Sequence, residues 1–175
     1  MTWKNHHRRG EVLREVIRTA DERRDGILPM DVPGVNETFS DELTLLGSLQ
    51  LRWHTSLSGR IDQALAEEPV DLESAVVSAW QATADALPGV RRVLDHYTAS
   101  PTSPEMAAVM ARATGKEHAM IALMAGRSGQ DDTAAAARIG EAIALRARTS
   151  YPTVGASRHD HAPTLVERLK AVLAA

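Results

Sequence analysis

The chain has 175 residues and a mass of 19.0 kDa, enough for one domain with one core; two independent cores would both be undersized. With 43% hydrophobic and 25% charged residues a packed interior is expected, and with only 3% aromatics it should be helical, since strands favour aromatic and β-branched side chains. The absence of cysteine excludes disulfides, thiolate metal sites and a cysteine nucleophile, and a net charge of −3 gives no bulk attraction to nucleic acid or anionic lipid.

The first helix is expected from His6 to about Arg24, where Val12, Leu13, Val16, Ile17 and Ala20 recur at helical spacing. Its arginines are partly neutralised by Glu11 and Glu15, so they read as a solvated face and nucleic acid is not an expected partner. No apolar signal-peptide core follows this basic segment, which predicts a cytoplasmic protein. Asp25-Gly26 ends the helix, and Pro29 and Pro33 keep the apolar connector up to Gly34 from being helical.

A second, long helix is expected after a cap at Asn36 or Ser40, carrying Phe39, Leu43, Leu46, Trp53, Leu57 and Ile61 and stopping before Pro69. Asp71 caps a third helix with Val76, Val77, Trp80, Ala84 and Leu87 on one face. Pro88-Gly89 interrupts it, predicting either a kink or two helices at an angle before Val90, Val93, Leu94 and Tyr97. Ser103-Pro104-Glu105 starts a fourth helix, through about Ala125, and Asp131 or Asp132 opens a fifth, alanine-rich one ending near Tyr151-Pro152. No uninterrupted apolar stretch approaches the ~18 residues of a membrane span.

Residues 149–163 turn to Ser, Thr, Gly, Pro and His without periodicity and read as a flexible linker. Beyond it, residues 164–175 begin with a Thr164/Glu167 capping box and carry the stripe Leu165, Val166, Leu169, Val172 and Leu173, a short amphipathic helix. That stripe must dock on its own bundle or fold against a partner protein. The expected fold class is thus all-α: a single-domain bundle of four to five helices over residues 1–148, plus this tethered C-terminal helix.

The main anomaly lies in the fourth helix, where Met106, Met110, Ala113, Met120 and Met124 form an apolar seam and Glu117 falls on its centre line. A buried carboxylate must be paired, protonated, metal-bound or facing an opening. In the second helix Gln50 lies within the apolar face and His54 on its flank; His118 flanks the fourth and His96 closes the third. Carboxylates and imidazoles from different helices are how bundle metal sites are built, so His54 and Glu117 are the candidate ligands for iron or haem in a ferritin-like or haem-type reading. Against it, the chain contains no Glu-x-x-His, so an ion pair with an arginine is the simpler expectation.

A helix-turn-helix around Met110–Lys116 fails on chemistry, because Glu117 to Ala125 offers almost no donors for bases or phosphates. The terminal histidines His6, His7, His159 and His161 form no specific pattern. No nucleophile elbow, Gly-rich phosphate loop or catalytic triad order stands out. The expected function is therefore non-enzymatic and without a cofactor: an adaptor or regulatory bundle acting through a protein partner or as a homo-oligomer. A small-molecule sensor domain with a Met- and Trp-lined pocket is the remaining reading.

Overall fold

The structure is a computed structural model that describes residues 3–129 and 133–150. Among the described residues it is all-helical, a bundle of seven helices: α1 (Trp3–Arg23), α2 (Val35–Thr38), α3 (Glu42–Leu65), α4 (Leu72–Ala86), α5 (Pro88–Ala99), α6 (Pro104–Met124) and α7 (Thr133–Thr149). Two of them go beyond the count expected from sequence: the single turn α2, and α5 as a helix separate from α4. The expected helix at 164–175 and all but the first two residues of the expected linker lie outside the described residues.

The helix starts follow capping chemistry. Asp71 accepts from the Ser74 amide and Ser103 from that of Met106, both as the sequence indicates. The start of α3 differs: Asp41, rather than Asn36 or Ser40, accepts from the Thr44 amide at 2.7 Å. Phe39 thereby lies before α3, in extended backbone at the end of α2, where it is buried. A left-handed Gly34 (φ +87°) turns the chain into α2 and lets Val32 and Val35 pack inward.

The helices associate in three main pairs, α3 with α4, α6 with α7, and α1 with α5. The centre is α3, whose Leu45, Leu46, Leu49, Trp53, Leu57 and Ile61 form a fully buried spine and which touches α1, α4, α5 and α6. Two glycines allow close crossings. A Cβ on Gly89 would lie 2.1 Å from the Ala20 carbonyl, and one on Gly140 would lie 1.7 Å from the His118 carbonyl oxygen. Backbone therefore meets backbone where α5 docks on α1 and where α7 crosses α6.

The break at Leu87 is capped across the fold. No side chain next to Pro88 caps α5, but Asp21 of α1 accepts from the Gly89 amide at 2.7 Å. Arg92 of α5 returns a hydrogen bond to the Arg24 carbonyl at 2.6 Å, so each helix of the pair satisfies the other's open end. Burial lifts the Asp21 carboxyl above its ordinary value, against the pull of the Gly89 and Val90 amides. Among the described residues no helix is long and apolar enough to cross a membrane.

Candidate functional site

Glu117 lies on α6 between the turns of Met110 and Ile121, and only 3% of it reaches solvent. The helical period that buries Met106, Met110 and Ile121 necessarily buries position 117. Its partner is a cation: Arg91 on α5, itself only 9% exposed, brings Nη1 to 3.7 Å from Glu117 Oε1. That separation is an ion pair but exceeds hydrogen-bond range.

The rest of Arg91 is held by other helices. Its Nη2 lies 2.9 Å from Asp95 Oδ1, one turn along α5. Its guanidinium carbon sits 4.6 Å over the buried Trp53 ring of α3, and Trp53 meets Trp80 of α4 edge to face at 5.7 Å. On the far side Arg148 of α7 lies over the Trp80 ring at 5.0 Å and reaches Asp95 Oδ1 at 3.4 Å. The sequence arginine–tryptophan–tryptophan–arginine thus closes on one aspartate and joins α3, α4, α5 and α7, with Glu117 of α6 behind it. Cation–π contacts of this kind are each worth about 0.5–2 kcal/mol, more when water is excluded.

Several polar atoms here are buried without a hydrogen-bond partner: Arg91 Nε and Nη1, Glu117 Oε1, and the indole nitrogens of Trp53 and Trp80. Buried polar groups are nearly always satisfied, so this concentration in one neighbourhood sets the centre apart from the apolar core around it.

His118, next along α6, is half-buried. Burial pushes its imidazole below the ordinary value; Glu117 opposes the shift, Arg148 adds to it, Glu141 opposes it and Arg91 adds to it. His54 is half-buried on the flank of α3. No hydrogen bond or ion pair joins it to Glu117 among the described residues, where the group beside Glu117 is Arg91. His96 stands exposed, with its Cβ 3.3 Å from the position of a Cβ on Gly26. No three His, Asp or Glu side chains come together as a ligand set among the described residues. A metal at Glu117 would also have to displace a buried guanidinium.

Sequence reasoning found Glu117 but not Arg91, Trp80 or Arg148 as its surroundings. One available signal was the position of Arg91, which falls with Leu87 and Leu94 on the buried face of α5. The stripe Leu165, Val166, Leu169, Val172 and Leu173 lies outside the described residues.

A second feature is at the surface. Val70 is fully open to solvent, and Leu72, two residues on, is also exposed. The Leu72 side chain comes within 3.1 Å of a Cβ built on Gly126, whose amide bonds the carbonyl of Leu123, another exposed apolar residue. Charged groups border this end: Glu73 pairs with Arg146 at 2.6 Å and with Arg127 at 3.4 Å. Comparison with protein-family models, curated proteins and solved structures finds no match to this chain.

Proposed function

We propose that the chain is a non-enzymatic helical-bundle protein that acts through protein–protein contact, as an adaptor or regulatory partner. The observation that supports it is the exposure of Val70 and Leu72 at the start of α4 and of Leu123 at the end of α6, two ends that meet where Leu72 approaches Gly126, beside the Glu73, Arg127 and Arg146 ion pairs. An apolar centre with a charged border is the usual anatomy of a protein interface. Exposed apolar residues scattered singly, such as Leu51 on α3 and Leu145 on α7, carry no such meaning.

The proposal includes a cytoplasmic setting, so the test starts from a cytosolic extract. Native capture is compared between the full chain, its Val70→Glu/Leu123→Glu double variant, and a chain ending at Pro163, which lacks the stripe Leu165–Leu173. Both substitutions are at exposed positions, so the melting temperature should hold. A protein retained by the full chain and lost with the double variant is the expected result. Loss only on shortening would move the contact to the C-terminal stripe, and identical retention by all three would contradict the proposal.

A further inference from the structure

The last described residue, Ser150, lies beside α4, where its hydroxyl accepts a hydrogen bond from the Gln81 side chain at 3.1 Å. One turn earlier, Arg146 of α7 pairs with Glu73 at 2.6 Å, next to the exposed Leu72. The chain therefore leaves the described bundle along the helix whose first turn carries the apolar surface. We infer that the stripe Leu165, Val166, Leu169, Val172 and Leu173 docks on Val70, Leu72 and Leu123 of its own bundle. The inference rests on the reading of this end as a contact surface and names what regulates it, since an outside partner has to displace the chain's own segment.

Reach and charge both select this occupant. From Gln81 back to Leu72 along α4 is about 14 Å at 1.5 Å per residue. Residues 151–164 can extend to roughly 45 Å at ~3.3 Å per residue, so the stripe reaches the surface with chain to spare. The surface is net acidic: Glu67, Glu68, Asp71 and Glu73 surround Val70 and Leu72 and outnumber Arg127 and Arg146, and no lysine or arginine occurs between Arg60 and Arg91. The segment is basic where it has to meet that border. At about 100° per residue Arg168 and Lys170 fall on the two flanks of the apolar stripe, and Glu167 falls opposite it. Docking thus sets apolar against apolar at the centre and base against acid at the rim. A second copy does not, because a two-fold contact through this surface brings the same acids against each other. The tether also favours the chain's own segment, which gives up little translational freedom on docking.

The test uses the full chain with Ala175→Cys, which gives this cysteine-free sequence a single attachment point for a nitroxide. In the NMR spectrum the label should broaden the methyl signals of Val70, Leu72 and Leu123 at least severalfold more than those of Ile27 and Leu51, which are exposed elsewhere on the bundle. The effect should be unchanged on dilution and lost in Leu169→Glu, which puts a charge into the stripe. No broadening, or equal broadening at all five residues, would overturn the inference, as would its persistence in Leu169→Glu. Broadening of unlabelled protein mixed with labelled protein would also overturn it, by assigning the surface to a second copy. No outside partner enters this measurement, so native capture can fail while the docking holds, and the docking can fail while capture succeeds.

Discussion

Glu117 shows how far a single residue can be read in advance. A carboxylate on the centre line of a methionine seam is visible in the sequence, because the helical period leaves it no other place, and it is 3% exposed in the fold. An arginine partner was expected, but which arginine was not visible. Periodicity puts Arg91 with Leu87 and Leu94 on the inner face of α5 and Arg92 outside it, but an arginine stem packs on apolar surface whether or not its head is buried, so that position alone did not tie Arg91 to Glu117 on another helix. At this scale His118 gives a test. Its imidazole is depressed by burial, so the unfolded chain takes up the proton first as pH falls below the ordinary 6.5. Stability contributed by neutral His118 is fully present above that value and is lost as pH falls through the lower folded value. Urea denaturation at pH 7, 6 and 5 should show stability falling with acid, and His118→Gln should flatten part of that slope. Identical slopes would show that another group sets the acid response.

At the scale of elements, local chemistry was legible and tertiary chemistry was not. The caps Asp71 and Ser103 lie within three residues of the amides they serve, so sequence alone places them. Asp21 caps a helix 68 residues away, and no local rule connects it to Gly89. Asp21→Ala is expected to cost about 1 kcal/mol in chemical denaturation, the usual cost of losing a cap, with Asp21→Asn retaining most of it. The glycines divide in the same way. Gly47 and Gly59 in α3 and Gly115 in α6 have open space around them, whereas Gly89 and Gly140 sit against neighbouring backbone. Gly47→Ala and Gly59→Ala should each stabilise by about 0.5–1 kcal/mol, through helix propensity and a less flexible unfolded chain. Gly140→Ala must push α7 off α6, since backbone cannot rotate away as a side chain can, and should cost about 3 kcal/mol or more. Thermal melts of the three variants decide it; a neutral Gly140→Ala would show that the crossing is looser than described.

For the whole molecule, composition and periodicity sufficed for the all-α class, because alanine-rich, aromatic-poor segments with repeated caps have few other folds open to them. They could not give the arrangement of the helices, which depends on what meets at the centre. There the arginine–tryptophan chain on Asp95 joins four helices and Glu117 adds a fifth, so breaking one link should be felt by elements far apart in sequence. A double-mutant cycle on Arg91→Met and Glu117→Gln, followed by urea denaturation, measures this most directly. Arg91→Met leaves Glu117 buried without its opposite and should cost about 3 kcal/mol, Glu117→Gln leaves Arg91 still paired with Asp95 and should cost less, about 1–2 kcal/mol, and the double variant should cost less than the sum by at least about 1 kcal/mol. Strictly additive losses would contradict a coupled charged centre and leave the bundle held by its apolar spine alone.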